Sequence, residues 1–250
     1  MGVHEAAAAG FDVGAEAYER GRPGFPQQAV DLLARELRVE PGRTVIDLAA
    51  GTGKLTRPLL SFGPRLVAVE PVEGMRRKLA ELVPGVPIVG AVAEALPVRD
   101  GVLDAVTVAQ AFHWFHAETA LAELHRVLRP GGRLGLVWNV REESNEISAA
   151  MTNLFDRYRK GAPAFRDRAW ERAFADTELF TRLRTATFPH EQRLSVDGFL
   201  DRAMSVSFVA ALPPRDQELV RDELLALVPP GAAEVVLPYR CDVSWCERSP

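Results

Sequence analysis

The stretch RTVIDLAAGTGKLT, from Arg43 to Thr56, decides the fold of this chain. Its first part, from Thr44 to Leu48, places β-branched and aliphatic residues around one acid, which suits a strand buried on both faces of a parallel sheet. Small residues from Ala49 to Gly53 follow at once, and leucines then recur at near-helical spacing. A strand, a tight turn of small residues and a helix together predict a nucleotide-type binding site outside the carboxyl end of that strand.

The acid in this strand narrows the class of ligand. Asp47 lies where a dinucleotide would place its pyrophosphate, and an uncompensated carboxylate there would repel that group. The dinucleotide pattern G-x-G-x-x-G is also incomplete, because Thr56 stands where the third glycine is needed for close packing of the helix. A nucleoside with a cationic end, such as S-adenosylmethionine with its ammonium and sulfonium groups, suits the acid better.

The glycine-rich turn resembles the motif E/D-x-G-x-G-x-G of the class I S-adenosylmethionine-dependent methyltransferases, and the resemblance covers roughly residues 11–139. Ala49 stands at the first glycine of that motif, so we expect its backbone to avoid strongly positive φ. Pro58 cannot donate a helical hydrogen bond. The helix after the turn is therefore expected to start late, near Lys54, or to bend in its first turn.

A second acid, Glu70, follows the predicted strand Leu66 to Val69. It lies about 20 residues beyond the glycine turn, the spacing at which a carboxylate can bind a ribose diol. In the family that the chain resembles, a loop such as AEALP borders the adenine, which implies that the Ala93 amide and Glu94 meet the ring nitrogens. The residues expected to bind the cofactor are Tyr18, Arg22, Asp47, Ala49, Gly51, Thr52, Gly53, Glu70, Pro71, Met75, Ala93, Glu94, Gln110 and Ala111.

The segment before the first helix carries a further resemblance. The pattern Y-x-x-x-R-P-G-F-P at 18–26, together with AQAFHWF at 109–115, most resembles the small-molecule group that includes trans-aconitate methyltransferases. Tyr18 and Arg22 would then close on the methionine end of the cofactor, with Arg22 donating to its carboxylate. A solvated arm is the alternative interpretation of both residues.

The segment AQAFHWFH follows the predicted fourth strand and lies at the ligand edge of the sheet. His113 is the candidate catalytic base, because a neutral imidazole can accept a hydroxyl proton as methyl transfer proceeds. Packing between its aromatic neighbours is the alternative role. His116 is the competing histidine, although a capping or surface position suits it equally well. The candidate acceptor-binding residues at this edge are Trp114, Asn139 and Arg141.

Strands alternate with helices through much of the chain, and this order predicts right-handed crossovers in a parallel sheet. The last strand, Val235 to Trp245, alternates strictly and predicts an antiparallel strand at or near a sheet edge. We expect an α/β fold, Rossmann-like and doubly wound, with a seven-stranded, mostly parallel sheet, an antiparallel C-terminal strand and a helical cap. One methyltransferase domain (1–250) would comprise an N-terminal arm (1–26), a cofactor-binding core (27–140), a cap insertion (141–180) and C-terminal strands and helices (181–250).

Composition limits the partners. The 250 residues carry a net charge of -4 and dispersed arginines, which disfavours nucleic acid as a substrate. No apolar run approaches the roughly 20 residues of a membrane span, and the start of the chain lacks the features of a signal peptide, so a soluble, cytoplasmic protein is predicted. Cys241 and Cys246 would point to opposite faces of a strand, too far apart for a disulfide, and no metal site is expected.

The function predicted from these observations is methyl transfer from S-adenosylmethionine to a small-molecule acceptor, with O-methylation of a hydroxyl or carboxylate favoured. A hydroxyl acceptor needs a base, whereas a carboxylate needs only a positioning cation such as Arg22 or Arg141. Two alternatives remain. One is an NAD-dependent oxidoreductase, which Asp47 and Thr56 disfavour; the other is a non-methylating homologue that keeps the cofactor as a scaffold or sensor.

Overall fold

A computed structural model describes residues 15–159 and 169–250 of the chain. The strands are β1 (Thr44–Leu48), β2 (Arg65–Val69), β3 (Ile88–Val89), β4 (Leu103–Ala109), β5 (Leu128–Arg141), β6 (Arg184–Leu194) and β7 (Val235–Glu247). The helices are α1 (Ala15–Gly21), α2 (Gln27–Leu37), α3 (Thr56–Leu60), α4 (Glu73–Leu82), α5 (Ala117–Val127), α6 (Glu146–Tyr158), α7 (Ala169–Asp176), α8 (Val196–Met204), α9 (Ser207–Ala210) and α10 (Pro214–Ala226), with a short 3-10 helix at Phe112–Trp114.

The strands form one seven-stranded sheet in the order β3-β2-β1-β4-β5-β7-β6. Neighbours from β3 to β5 pair in parallel, whereas β7 is antiparallel to both β5 and β6. The predicted Rossmann-like sheet with an antiparallel C-terminal strand is therefore confirmed. The order reverses between β1 and β4, which creates the crevice in which open α/β sheets bind ligands.

Apolar side chains cover both faces of this sheet. On one face α2 packs through Leu33 and Leu37, and on the other α5 packs through Leu124. Cys241 belongs to the first cluster and Cys246 to the second, and both are free thiols, as their spacing predicted. Since both faces are covered, only the strand ends remain for ligand binding.

The helix after the glycine turn begins at Thr56 and includes five residues. Pro58 lies in its first turn, where a backbone N–H has no intrahelical acceptor, so the proline removes no helical hydrogen bond there. The predicted late start near Lys54 agrees with this position. The turn is consequently longer and less regular than a simple strand-to-helix connection.

The predicted cap does not form one layer. Helix α6 packs with α8, α9 and α10 in a separate apolar cluster beside β7. Helix α7 instead joins the main sheet, where Trp170 stacks on Trp138 with ring centroids 4.2 Å apart. Residues 160–168 between them, and the arm before Ala15, lie outside the described residues. In the described part of the chain, none of the helices combines the length and the apolar character needed to cross a bilayer.

Candidate functional site

Two adjoining compartments lie at the carboxyl ends of β1, β2 and β4. The first occupies about 780 Å³ including its open mouth, and the second about 390 Å³. Of the predicted cofactor residues, all except Asp47 and Gly53 line one or both of them. The residues that line both compartments are Tyr18, Ala49, Gly51, Ala109 and Gln110.

Two residues at the strand ends have left-handed backbones. Ala49 has φ 54° and Gln110 has φ 59°, so the prediction that Ala49 avoids strongly positive φ is wrong. Hydrogen bonds explain the conformation: the Ala50 N–H donates to Val69 O at 3.1 Å and the Gln110 N–H donates to Val137 O at 2.8 Å. These bonds to neighbouring strands hold the chain where an L-residue is mildly strained, a feature that clusters at functional sites.

Asp47 lies beneath the turn rather than in the cavity. Its side chain is fully buried, and its two oxygens accept hydrogen bonds from Thr56 Oγ1 at 2.6 Å and Thr107 Oγ1 at 2.8 Å. Burial raises the pKa of Asp47 to about 6, although these hydrogen bonds lower it. In this structure Asp47 holds Thr56 and Thr107 at the base of the turn, and its predicted role in binding the cofactor stays a prediction.

Asp47→Asn is expected to remove a pH dependence of folding stability. The folded-state pKa of Asp47, about 6, lies above the ordinary value of 3.8. Protonation of Asp47 therefore stabilises the folded protein fully below pH 3.8, and this stabilisation is lost as pH rises through 6. This difference corresponds to roughly 3 kcal/mol at most. Urea unfolding between about pH 4 and pH 7 should show wild type losing stability relative to the variant. If the difference in unfolding free energy between wild type and Asp47→Asn does not change with pH, the raised pKa of Asp47 is wrong. Asp31→Asn is the control, because Asp31 is an exposed acid of α2.

Glu70 joins the end of β2 to the glycine turn. Its Oε2 accepts the Gly51 N–H at 2.9 Å, its Oε1 accepts the Val72 N–H at 2.8 Å, and the side chain lines the first compartment. Burial raises the pKa of Glu70, while these backbone hydrogen bonds lower it. Each oxygen retains acceptor capacity toward the cavity, as binding of a diol requires.

Apolar side chains form much of the wall of the first compartment, and Tyr18, Glu70, Glu94 and Gln110 are its polar residues. Met75, Ala93 and Ala111 line it, as does Phe115, which the sequence analysis did not select. Glu94 also lines it, but its Oε1 accepts the His116 N–H at 2.8 Å and so fixes the start of α5. The compartment therefore combines an apolar wall with two carboxylates, Glu70 and Glu94, an arrangement that suits a nucleoside.

The two aromatic candidates after β4 have different positions. Trp114 lines the first compartment, whereas His113 lines neither compartment, and the two rings lie 5.1 Å apart. His116 occupies the N-cap position of α5 without a side-chain capping bond. The assignment of His113 as the base stays a prediction, since it would need a change of side-chain position to reach a ligand in either compartment.

The two predicted acceptor-binding residues at the end of β5, Asn139 and Arg141, make hydrogen bonds to neighbouring segments of the chain. Asn139 Nδ2 donates to Gly24 O at 2.9 Å, and Asn139 Oδ1 lies 2.9 Å from His190 Nε2. Arg141 donates to a carbonyl oxygen and a threonine hydroxyl of α6. Neither side chain lines the two compartments, so acceptor binding by Asn139 and Arg141 stays a prediction.

Helix α1 lies against the glycine turn and contributes to the wall of both compartments. Tyr18 lines both compartments and Arg22 lines the second. Glu19, which the sequence analysis did not select, accepts hydrogen bonds from Thr52 Oγ1 at 2.6 Å and Arg57 Nη2 at 2.8 Å. Although burial acts to raise it, these contacts hold the pKa of Glu19 below its ordinary value. The glycine turn and α1 are thus joined by polar contacts.

Binding of S-adenosylhomocysteine is expected to protect α1 from hydrogen exchange. The helix is joined to the turn mainly by polar contacts such as that of Lys54 with Glu19, and such elements open at low free-energy cost. We expect exchange in α1, and in the segment 147–174, to slow by roughly tenfold or more with ligand. If both segments are already as protected as β1 in the free protein, they do not form a lid.

The fold and the compartments define a nucleoside-binding α/β protein, and comparisons give the family. A family model for the methyltransferase domain matches residues 46–136. An uncharacterised methyltransferase of Mycobacterium tuberculosis is 37% identical over 238 residues, 93% of this chain and 92% of the relative. An uncharacterised methyltransferase-like protein of Schizosaccharomyces pombe is 35% identical over 208 residues, 83% of this chain and 81% of the relative. The solved structure of a proposed type II methyltransferase from Anaeromyxobacter dehalogenans aligns with a TM-score of 0.66 and 26% identity, over 91% of this chain and 97% of that chain.

The chain therefore belongs to the class I S-adenosylmethionine-dependent methyltransferases. It is a methyltransferase, and S-adenosylmethionine is its cofactor. The predictions of the class I family, the enzyme class and the cofactor are confirmed, whereas the resemblance to the trans-aconitate methyltransferase group stays a prediction.

Proposed function

We propose that this methyltransferase transfers the methyl group to a small organic acceptor in the cytoplasm, with a hydroxyl or carboxylate oxygen as the nucleophile. The observation that carries the proposal is the continuity of the two compartments across Tyr18 and Gln110, with Trp114 at the wall. Such a concave, mostly apolar site suits a small molecule. The net charge of -4 gives no attraction to nucleic acid.

The same residues support the proposed positions of the cofactor. The apolar wall at Met75 and Phe115 suits the adenine, and Glu70 suits the ribose diol. The second compartment, lined by Arg22, Thr52 and Lys54, suits the amino acid end. When bound there, the cofactor supplies an electrophilic methyl group, and the chain contributes by aligning the acceptor with it.

The pattern at 18–26 and 109–115, which resembles the trans-aconitate methyltransferase group, supports a small-molecule acceptor. In this proposal Trp114 positions the acceptor beside the compartments, and Asn139 and Arg141 support the same edge of the sheet. The chain would work as one domain over 1–250.

An oxidoreductase that binds NAD is the alternative from another class. Its pyrophosphate would meet a turn that holds Asp47 below it, and Thr56 donates to that acid instead of leaving room for a helix packed on glycine. Calorimetric titration separates the two functions, because we expect S-adenosylhomocysteine to bind and NADH to show no heat of binding. Tight binding of NADH alone would contradict the proposal.

Activity tests the rest of the proposal. The protein is incubated with mixtures of small organic acids, alcohols and phenols and with S-adenosylmethionine that carries a labelled methyl group. The products are then identified by mass spectrometry. We expect a product heavier by one methyl group and an equal amount of S-adenosylhomocysteine. Binding of the cofactor without transfer to any acceptor would instead support the non-methylating alternative.

His113→Asn is expected to lower kcat by about 100-fold if the acceptor is a hydroxyl and His113 is its base. The affinity for S-adenosylhomocysteine should hold, and the limb of the pH profile of kcat/KM in the imidazole range should disappear. His116→Asn is the matched control, because His116 is exposed at the N-cap of α5. A loss of thermal stability with unchanged kcat would show that His113 only packs.

A further inference from the structure

The segment 21–25, which leads from the end of α1 toward α2, forms part of the wall of the second compartment through Arg22, Pro23 and Phe25. Two of its carbonyl oxygens accept hydrogen bonds from side chains of the sheet. Gln192 Nε2 of β6 donates to Gly21 O at 2.8 Å, and Asn139 Nδ2 of β5 donates to Gly24 O at 2.9 Å. Neither donor lines the compartment, so this part of the wall is held from behind.

The two ends of the segment are held in different ways. At Gly21 the chain passes so close to α8 that a Cβ would lie 2.5 Å from Arg202 Cα. At Gly24 a Cβ would meet nothing within 4 Å. Close packing therefore fixes the start of the segment, whereas the position of the Gly24 carbonyl depends on the hydrogen bond from Asn139.

The orientation of the Asn139 amide also determines which ring nitrogen of His190 carries the hydrogen. Because Asn139 Nδ2 donates to Gly24 O, Asn139 Oδ1 is the atom that faces His190 Nε2, at 2.9 Å. An amide oxygen only accepts, so His190 Nε2 carries the hydrogen and donates it. Burial lowers the pKa of His190, so the ring is neutral at neutral pH. His190 thus keeps the Asn139 amide turned toward Gly24.

The strand β7 holds the His190 ring in place. The ring stacks on that of Tyr239, its partner in register on β7, with ring centroids 5.4 Å apart and an angle of 30° between the planes. Tyr239 is itself buried, and its Oη accepts a hydrogen bond from Arg202 Nε at 2.8 Å. Side chains that are locked by packing in this way can hold a binding site in a fixed geometry.

Asn139 also contacts the strand end that lines both compartments. Gln110 Nε2 donates to Asn139 O at 3.2 Å, and Gln110 is one of the two residues with a left-handed backbone at the site. The backbone of Asn139 is therefore joined to one part of the compartment wall and its side chain to another. A shift of Asn139 would change the distance between Gln110 and the segment 21–25.

We propose that His190 is a positioning residue for the cofactor: through Asn139 it holds the segment 21–25 against the amino acid end of S-adenosylmethionine. The inference rests on the proposed function, which places that end of the cofactor in the second compartment. Without the His190 donor the Asn139 amide is free to turn, and the wall must then be ordered at the expense of binding energy. The adenosine part lies in the first compartment, so its affinity does not depend on His190.

The test compares the affinities of S-adenosylhomocysteine and 5′-methylthioadenosine, which lacks the amino acid part, by calorimetry. His190→Leu should weaken S-adenosylhomocysteine by about tenfold, as the loss of one hydrogen bond implies, and 5′-methylthioadenosine by less than about twofold. His190→Gln should restore most of the affinity, because the glutamine amide nitrogen lies as many bonds from Cα as His190 Nε2 and also donates. Glu191→Gln is the matched control, since Glu191 is the next residue of β6, is exposed and pairs with Arg193.

Asn139→Asp tests the route from His190 to the wall. A carboxylate cannot donate to Gly24 O, so this variant should lose affinity for S-adenosylhomocysteine by the same factor of about ten and keep its affinity for 5′-methylthioadenosine. Adding His190→Leu to Asn139→Asp should change little further, because both substitutions remove the same tether.

The remaining outcomes contradict the inference or its basis. An unchanged ratio of the two affinities in His190→Leu and Asn139→Asp, with only a lower Tm, overturns it, as do equal losses for both ligands or additive effects of the two substitutions. If wild type binds both ligands equally well, the amino acid end does not occupy the second compartment, and the proposed position of the cofactor is wrong. Should His190→Leu not fold, Asn139→Asp decides the result, since an unchanged ratio in that variant alone overturns the inference.

Discussion

Glu70→Ala is expected to weaken the binding of S-adenosylhomocysteine by roughly 400- to 5,000-fold. The variant loses a hydrogen bond from a charged group to the ligand and leaves the N–H groups of Gly51 and Val72 without their acceptor. The first loss is about 1.5–3 kcal/mol and each orphaned donor adds a further penalty of order 1 kcal/mol. Since Glu70 fixes the glycine turn as well as the ligand, both terms reduce the same affinity. Calorimetry at constant pH measures the effect.

Glu73→Ala is the matched control for this experiment. Glu73 stands three residues away on α4, its side chain is 68% exposed, and its ion pair within the described residues is with the exposed Arg77. Such surface pairs contribute about 0–1 kcal/mol, so its affinity for the ligand should stay within about twofold of wild type. Equal affinities of the Glu70 and Glu73 variants, with both proteins folded, would remove Glu70 from the cofactor site.

Gly51→Ala and Gly53→Ala are expected to have opposite effects on affinity and stability. At Gly53, with φ 86°, a Cβ would lie 2.5 Å from Leu79 Cδ1 and 2.8 Å from Val83 Cγ2. Strain and overpacking together should cost about 2–4 kcal/mol and lower Tm by roughly 5–15 °C. At Gly51, with φ 59°, a Cβ would meet nothing within 4 Å, so Gly51→Ala adds only the strain of a left-handed alanine, about 1 kcal/mol, and should lower Tm by roughly 2–4 °C.

Ligand affinity should distinguish the same two variants in the opposite order. Gly51 lines both compartments, so its added methyl group occupies the space of the ligand. The affinity for S-adenosylhomocysteine should fall by roughly 10- to 100-fold, as the cost of overpacking implies. Gly53→Ala should bind almost normally at a temperature at which it is folded. The reverse pattern, with an unstable Gly51 variant and a weakly binding Gly53 variant, would contradict the geometry of the turn.

The architecture and the strand-end residues could be predicted from the sequence because periodicity determines both. Buried runs such as that of β1 indicate parallel strands, and the carboxyl ends of parallel strands meet at one edge. Glu70 and Gln110 line the cavity for this reason. The prediction for the φ of Ala49 was wrong because hydrogen bonds between strands outweigh a local backbone preference of about 1 kcal/mol.

The direction of each side chain and contacts distant in sequence could not be predicted. Whether an acid such as Asp47 faces the ligand or the interior depends on its threonine partners, which no spacing reveals. Glu19 contacts a turn 33 residues away and Arg202 a tyrosine 37 residues away, so neither forms part of a local motif. The split of the cap between α6 and α7 likewise depends on tertiary packing.

The antiparallel insertion of β7 between β5 and β6 has a consequence for synthesis of the protein on the ribosome. When β5 has emerged from the ribosome, one of its edges stays unpaired until β7 is synthesised. Helix α1 likewise lacks its contact with α8, whose Asp201 lies 181 residues from its partner Arg20. Until those later segments emerge, a nascent chain presents an unpaired edge strand, the kind of surface that chaperones shield. The sheet is therefore completed only when β7 has been synthesised, long after all the residues that line the two compartments.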